Sequence, residues 1–224
     1  VDVTAEGLAL GTITSLANNG TLGGSFSNDG TTVTVKNYSG RRCLYFSGSA
    51  RMKSSFNAPS GITGNGDYTV VMWVINPSVT TQEVVLSWAK AGSNGRDARF
   101  NYGSSTSYGA VNHYGTAYSM GYPGGTPTAD RWHHIAMTFN GSVEKVYVDG
   151  AYKGQKSMTH NIYTSMPLRI GVGLSSTSGY QNYFSGYLMK LQVYDNVLSD
   201  TEIQTLCGRF GDQSTWRLMA PHFT

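Results

Sequence analysis

Apolar and polar side chains alternate along most of this 224-residue chain, and glycine or asparagine interrupts each alternating run. Successive side chains of a β-strand point to opposite faces, so this pattern predicts strands with one buried face. Such strands are predicted at about eleven places, namely residues 32–35, 43–46, 67–75, 84–88, 99–102, 109–114, 117–121, 132–139, 143–148, 168–172 and 187–194. Strands at this spacing predict an all-β fold, an antiparallel sandwich of two sheets.

Two dipeptides between alternating runs predict tight hairpins. Asn140-Gly141 and Asp149-Gly150 each join two such runs. Asparagine, aspartate and glycine tolerate the positive φ that a type I′ turn requires at both central positions. The three strands around these turns are therefore predicted to form an antiparallel meander.

One short helix is predicted near the C-terminus. Ser199 and Glu202 have the spacing of a capping box, with Ser199 as N-cap and Glu202 at the third helical position. A helix of about two turns would place Ile203 and Leu206 against the body of the fold. We expect one domain over residues 1–207. Residues 208–224 show no periodicity and are predicted to be a tail or linker.

The composition excludes several classes of protein. Charged residues make up 13% and aromatic residues 12%, which argues against a disordered chain or a coiled coil. No apolar stretch is long enough for a membrane-spanning helix, so membrane insertion is not expected. The 16 lysines and arginines are scattered, so nucleic acid is not an expected partner. Cys43 and Cys207 are too few for a cysteine-rich zinc site, and they are either one disulfide or two free thiols.

Several motifs, in order along the chain, resemble those of LamG-like domains in the concanavalin A-like lectin/glucanase superfamily. The central pair is W-H-H-I-A-M-T-F-N-G at residues 132–141, followed by V-Y-V-D-G at 146–150. Supporting matches lie at residues 42–48, 67–74, 184–188 and 193–206. Ser47 stands where aspartate is common. The resemblance covers residues 8–206 and implies a jelly roll whose relatives bind glycans, proteins or lipids, while some hydrolyse polysaccharides.

Within the matched motifs we prefer structural roles. Trp73 and Trp132 fall in alternating strands and are predicted to lie in the core. His134 shares a strand face with Trp132 and is interpreted as a hydrogen-bonded structural histidine. Asp149 is explained by the turn that it makes.

The acidic residues do not indicate catalysis. A glycosidase needs two carboxyl groups about 5 to 9.5 Å apart, and the superfamily's glucanases provide them from an E-x-D-x-x-E or E-x-D-x-E run, which this chain lacks. The isolated glutamates include Glu144, which we expect to be solvated just after a hairpin. Glu83 and Asp97 remain a pair that loops would have to bring together. We therefore predict a non-catalytic protein.

The segment of residues 96–122 is the candidate ligand site. Its rings carry polar groups and are separated by small residues, and aromatic faces stack on sugar rings while polar groups bind hydroxyls. The predicted ligand-binding residues are Arg96, Asp97, Arg99, Tyr102, Tyr108, Asn112, His113, Tyr114 and Tyr118, with Tyr180 on an opposite rim formed by residues 175–183. Alternatively, about half of these tyrosines point into the core, or the segment binds a protein.

These observations lead to three ranked functions. The first is a non-catalytic carbohydrate-binding module for a polysaccharide or glycan, secreted or on the cell surface and belonging to a multidomain protein. The second is a protein-interaction or adhesion domain of a surface or virion protein, and the third is a divergent glycoside hydrolase or lyase. The resemblance also implies a structural Ca²⁺, for which the oxygen-rich loops at residues 18–20, 28–30 and 65–67 are candidates.

Overall fold

The computed structural model describes residues 1–164, 166–176 and 179–211, which form a two-sheet sandwich with one helix. The strands within these residues are β1 Asp2–Thr4, β2 Gly11–Thr12, β3 Ser15–Ala17, β4 Ser25–Asn28, β5 Thr34–Tyr38, β6 Arg41–Ser47, β7 Met52–Asn57, β8 Tyr68–Ile75, β9 Val84–Trp88, β10 Arg99–Asn101, β11 Val111–Asn112, β12 Ser119–Met120, β13 His133–Phe139, β14 Val143–Val148, β15 Ala151–Ser157, β16 Pro167–Ile170, β17 Gly173–Leu174, β18 Tyr180–Gln181 and β19 Ser185–Tyr194. The helix is α1, Asp200–Gly211, and short 3₁₀ turns lie at Ser60–Ile62 and Thr116–Tyr118.

The strands pair antiparallel in both large sheets. The nine-stranded sheet has the order β15-β14-β13-β8-β19-β6-β5-β2, with β1 also on β19. The eight-stranded sheet has the order β12-β11-β10-β9-β16-β7-β4-β3, and β17 and β18 form a separate small hairpin. Among the described residues, this arrangement confirms the predicted all-β jelly-roll sandwich with a C-terminal helix.

Alternation along β8 shows how the sandwich is filled. Tyr68, Val70, Met72 and Val74 point into the main core between the sheets. Val71 points the other way and joins a second apolar cluster on the outer face of the nine-stranded sheet. That cluster is Val71, Ala136, Tyr147, Leu198 and Ile203, and α1 covers it. The nine-stranded sheet therefore buries apolar side chains on both faces.

The two predicted hairpin turns differ. Asp149 and Gly150 both have positive φ, 54° and 75°, so this two-residue turn has the predicted type I′ signature. The turn at Asn140 is not type I′, because three residues separate β13 from β14. The Asn140 Oδ1 accepts hydrogen bonds from the backbone N–H groups of Ser142 (3.1 Å) and Val143 (2.8 Å). The asparagine side chain thus replaces the expected turn with its own Asx turn.

The predicted capping box is confirmed, but the helix is longer than two turns. The Ser199 N–H and Oγ each lie 2.7 Å from the Glu202 carboxylate, and the Glu202 N–H donates to Ser199 Oγ. Helix α1 spans 12 residues and continues past Cys207 to Gly211. A domain boundary at residue 207 stays a prediction, and residues 212–224 of the predicted tail lie outside the described residues.

The two tryptophans of the family motifs do not lie where the sequence predicts them. The prediction that Trp73 and Trp132 lie in the core was wrong, because both are half-buried: Trp73 alternates outward on β8, and Trp132 precedes β13. Cys43 on β6 and Cys207 on α1 are both free thiols. No helix in the described part of the chain is long and apolar enough to cross a membrane.

Asp149 does more than form its turn. One carboxylate oxygen accepts the N–H of His134 (3.0 Å), and the other lies 2.9 Å from the His133 Nδ1. His133 is therefore the hydrogen-bonded histidine of this strand. The prediction for His134 was wrong, because neither nitrogen of its buried ring has a hydrogen-bond partner among the described residues. Burial lowers the pKa of His134 to about 4.

Candidate functional site

The predicted site residues do not line one groove. Tyr102 and His113 are fully buried. The Tyr102 hydroxyl donates to the carbonyl of Thr128 (2.7 Å), and its ring packs against Tyr122. Burial raises the pKa of Tyr122 well above the usual value and leaves its hydroxyl protonated at neutral pH. These rings are part of the core and do not form an accessible platform. Strand alternation had left this outcome open as the alternative to a ligand site.

The outer face of the eight-stranded sheet carries a polar row. Strand register places one polar residue from every strand in a single line, in the order Ser119, Asn112, Arg99, Ser87, Arg169, Lys53, Ser27 and Ser15. Their strand neighbours, such as Phe100 and Ile170, point into the core. The row therefore faces away from the core, and it contains the predicted residues Arg99 and Asn112.

The middle of this row is closed by the β17–β18 hairpin. Arg99 is buried, and its Nε lies 2.7 Å from the Asp97 carboxylate. Its guanidinium also donates to the carbonyl of Leu174 and to Asn182 Oδ1 (3.2 Å). Burial raises the pKa of Asp97 to about 6, although Arg99 acts in the opposite direction. Arg99 and Asp97 thus hold the hairpin on the sheet and are not accessible to a large ligand.

At the other end of the row the polar side chains become partly exposed around Arg169, which is itself buried. We call this the Tyr180 patch, formed by Asp29, Arg51, Lys53, Arg169, Tyr180 and Tyr183. The Arg51 guanidinium lies 4.0 Å from the Tyr180 ring centroid and 5.8 Å from that of Tyr183. It also faces the Asp29 carboxylate at 3.8 Å, and the Tyr180 hydroxyl donates to Asp29. A cation held between two rings is oriented before any ligand arrives.

Gly30 is required for this arrangement. Its φ is +128°, and a Cβ there would lie 2.5 Å from the Arg51 Nη2. The missing side chain is what allows the guanidinium to lie over the loop. Arg169 and Lys53 stand next to each other in strand register beside this site. The Nε of Arg169 is buried with no hydrogen-bond partner among the described residues.

The remaining predicted residues lie at the margins. Arg96 stacks on Tyr163, with the guanidinium 4.1 Å from the ring centroid. Tyr108 and Tyr118 are half-buried, and Tyr114 is exposed. Of the predicted residues, the structure brings Arg99, Asp97 and Asn112 to the polar row and Tyr180 to its accessible end.

A shallow groove of about 820 Å³ lies between the edge strands β12 and β15. Its lining includes Thr106, Ser107, Gln155 and Lys156. The Lys156 ammonium already donates to the carbonyls of Thr116 and Ser119 (2.8 Å). The groove therefore offers hydroxyl and amide groups and one ammonium that is already hydrogen-bonded, but its described lining gives no exposed aromatic platform.

Glu83 and Asp97 are not a catalytic pair. The Tyr102 N–H donates to the Glu83 carbonyl, so Glu83 lies beside the far end of β10, five residues from Asp97. Five residues of strand span about 16 Å. Burial raises the pKa of Glu83, whose carboxylate accepts from the Asn76 side chain, whereas Asp97 faces Arg99. The two carboxyl groups serve separate polar contacts.

A second polar cluster lies inside the sandwich, and the sequence did not reveal it. Glu144 is fully buried, so the expectation that it is solvated was wrong. It follows Val143 in β14, and period two turns it inward. The Tyr68 hydroxyl donates to its Oε2 at 2.6 Å, and His113 Nε2 and His160 Nε2 lie 3.7 and 3.4 Å from the same oxygen. One nitrogen from each histidine and one Glu144 oxygen all lie within 4.8 Å of one another, so these three residues could hold a metal ion.

The charges of this cluster are set by burial and close contacts. Burial alone would raise the pKa of Glu144, but the close His113 and His160 imidazoles, at 3.7 and 3.4 Å, hold it below the ordinary value. Burial lowers the pKa of His160 to about 4. Burial and the Glu144 charge raise the pKa of Tyr68 well above the usual value. The cluster therefore contains a carboxylate and a neutral phenol.

The asparagines of the loops proposed for calcium already have protein partners. Asn18 Oδ1 accepts the N–H groups of Asp2 and Gly20, and Asn65 Oδ1 accepts the N–H of His160. Asn28 Oδ1 accepts the N–H of Val33. A structural calcium stays a prediction.

Comparison with known proteins identifies the family. The family profile described as the concanavalin A-like lectin/glucanases superfamily matches residues 46–204, and the chain belongs to this superfamily. The predicted LamG-like resemblance is thereby confirmed. A search of curated proteins finds no match.

Solved structures share the fold at low sequence identity. Domain 4 of AbnA, a GH43 extracellular arabinanase from Geobacillus stearothermophilus in complex with arabinotriose, has a TM-score of 0.59 at 17% identity, over 81% of this chain and 87% of that one. An arabinofuranosidase complexed with arabinofuranosyl-alpha-1,2-xylobiose has a TM-score of 0.67 at 10% identity, over 88% of this chain and 50% of that one. The botulinum neurotoxin serotype G binding domain has a TM-score of 0.60 at 10% identity, over 95% and 51%. This chain spans only about half the length of the last two, and at these identities the likeness concerns the fold alone.

Proposed function

We propose that this chain is a non-catalytic carbohydrate-binding module that binds a glycan at the Tyr180 patch. The observation that carries the proposal is Arg51, held between Tyr180 and Tyr183 at the accessible end of an outward polar row. Tyrosine rings cover the apolar faces of sugar rings, and fixed polar groups around them bind hydroxyls. The superfamily and the sugar complexes of its structural neighbours support the same class of ligand.

The charge of the patch gives the expected chemistry of the glycan. Arg51, Lys53 and Arg169 stand against one carboxylate, Asp29. A guanidinium is planar and can bind a carboxylate or sulfate through two parallel hydrogen bonds. We therefore expect a glycan that carries uronic acid or sulfate groups. A secreted or cell-surface location, within a larger protein, follows from this role.

The test is direct titration of the purified chain with polysaccharides of both kinds. The acidic set is polygalacturonate, alginate and heparin, and the neutral set is arabinan and xylan. We expect binding to an acidic polymer, weakened by added salt because surface ion pairs are screened. Binding to neutral polymers alone would support the carbohydrate class but contradict the expected charge.

Variants then locate the site. Tyr180→Ala is expected to lower affinity by about tenfold, a change of about 1.4 kcal/mol, because it removes the ring that would stack on a sugar and the hydroxyl that contacts Asp29. Tyr152→Ala is the matched control, because Tyr152 is 47% exposed on β15 of the other sheet. Gln155→Trp would fill the edge groove and should leave affinity unchanged. Full affinity in Tyr180→Ala, or loss in Gln155→Trp, would place the site elsewhere.

A protein receptor is the second candidate, favoured by one observation. Tyrosine and arginine are enriched among the residues that dominate protein interfaces, and the patch is built from them. A folded chain that binds no polymer in either set, yet captures a surface protein through Arg51 and Tyr180, would support this reading instead.

A further inference from the structure

We propose that the buried cluster of His113, Glu144 and His160 is a structural transition-metal site that takes Zn²⁺. The three residues come from separate parts of the chain: the end of β11, the strand β14 and the segment after β15. Their side chains are fully shielded from solvent. The site is distinct from the Tyr180 patch, and the inference does not depend on the proposed function.

The tautomer of His113 can be assigned from its second contact. Its Nδ1 lies 2.8 Å from the backbone carbonyl oxygen of Asp97, which can only accept a hydrogen bond. The proton of a neutral His113 is therefore on Nδ1, and its Nε2 presents a lone pair to the cluster. Metal-bound histidines commonly donate their other nitrogen to a backbone carbonyl in this way.

Counting protons shows what the cluster lacks. The Tyr68 hydroxyl has one proton, and it goes to Glu144 Oε2. That proton is therefore not available to His113 Nε2, which lies 3.1 Å from the Tyr68 oxygen and 3.7 Å from Glu144 Oε2. Glu144 Oε1 and His160 Nδ1 are also buried without hydrogen-bond partners among the described residues. Unpartnered polar atoms and one negative charge thus converge in the buried interior, where a cation would offset the cost of burying them.

The donor set and distances fit zinc. Two imidazole nitrogens and one carboxylate are a known zinc ligand set. Bonds of about 2.1 Å in a tetrahedron place ligand atoms about 3.4 Å apart, close to the 3.4 and 3.7 Å between Glu144 Oε2 and the two histidines. The set has too few oxygens for calcium, which needs 6 to 8.

The surroundings suit a closed structural site. Tyr68 packs against Phe100, Phe139 and Trp88, with ring centroids 5.4 to 5.7 Å apart. Backbone contacts also fix the histidines, since the His160 N–H donates to Asn65 Oδ1 at 2.7 Å. The Tyr68 hydroxyl is placed either to hold the carboxylate or to complete the coordination. The metal would join both sheets with a loop and add to the stability of the fold.

Metal content after refolding tests the proposal. Because the site is closed, the full chain is unfolded with guanidinium and a chelator, then refolded with Zn²⁺, with Ca²⁺ or without metal, and dialysed. We expect one zinc per chain by elemental analysis, no calcium at this site, and a higher thermal unfolding midpoint with zinc. Refolding with Co²⁺ should give the visible absorption of a four-coordinate site.

Variants separate this site from adventitious binding. His160→Gln and His113→Gln should each reduce retained zinc at least tenfold. His134→Gln is the matched control. That histidine is also buried, but it lies on the outer face of the nine-stranded sheet, away from the cluster. If either variant fails to fold, the cobalt spectrum of the unaltered chain decides. No retained metal in the unaltered chain would overturn the proposal and leave a His113–Glu144 ion pair, and equal retention by all variants would also overturn it.

Discussion

The two outer faces of this sandwich are used in opposite ways. The nine-stranded sheet presents small and apolar side chains, among them Val71 and Ala136, and α1 lies on them with Ile203 buried. The eight-stranded sheet presents a polar row, and a hairpin covers only its middle. Both sheets place apolar residues in the shared core. The difference between them lies in the outward-facing residues that alternate with these core residues along each strand.

This difference separates structure from recognition. An apolar outer face needs a cover because exposed apolar area is unfavourable in water, and the helix provides it. A polar outer face can remain open, and its covered part must satisfy each buried polar group. The Arg99–Asp97 pair belongs to that covered part, while Arg51 belongs to the open part, although both are arginines on one sheet face.

The largest expected effect is at Arg99. Arg99→Met should lower the free energy of unfolding by about 3–5 kcal/mol, because it leaves the Asp97 carboxylate buried without its cation. Urea unfolding measures this change. The double variant Asp97→Asn with Arg99→Met should lose less, because no isolated charge remains.

The same substitution on the open part is the control for that prediction. Arg51→Met should change the free energy of unfolding by under about 1 kcal/mol, as is usual for accessible ion pairs, yet weaken glycan binding. If Arg99→Met were as stable as the unaltered chain, the covered and open parts of the row would not differ as described.

A smaller loss is expected where the helix covers the other face. Ile203 is fully buried in the cluster with Tyr147 and Leu198. Ile203→Ala should lower the free energy of unfolding by about 3 kcal/mol, from lost apolar burial and a cavity. Gln204→Ala changes an exposed neighbour and should shift it by under about 0.5 kcal/mol. Equal effects of the two variants would show that the helix is not needed as a cover.

Much of the fold could be predicted because period two acts locally. The alternation in β8 fixes which of its residues enter the core. The four-residue capping box from Ser199 to Glu202 marks the start of α1. The error at Asn140 has a local cause as well, since its side chain competes with the backbone for the turn. The family motifs added the expectation that the strands form a jelly roll.

The candidate site was harder because it depends on register between distant strands. Arg51, Arg169 and Asp29 are far apart in sequence and meet only when β7 pairs with β16 and the hairpin returns over them. Alternation along the sequence places Arg169 between two core residues, which indicates that Arg169 faces outward. It does not indicate which residues of other strands lie beside Arg169. Glu144 was misjudged for the same reason, because its partners Tyr68 and His113 lie on other strands.

The smallest effect concerns His134, which lies between Trp73 and the covering helix. Within the described part of the chain its ring has no hydrogen-bond partner. Its pKa in the fold, about 4, is below the 6.5 of an unfolded chain, so the unfolded state takes up a proton first as the pH falls. This contribution to stability is complete above pH 6.5, falls between pH 6.5 and 4, and is constant below. The loss of stability corresponds to about 2 kcal/mol between pH 8 and pH 5.

His134→Leu should remove this part of the pH dependence without lowering stability at pH 5, because no polar contact is lost. Urea unfolding of both proteins at pH 8, 6.5 and 5 gives the difference, and a difference independent of pH would show that His134 is charged or hydrated in the fold.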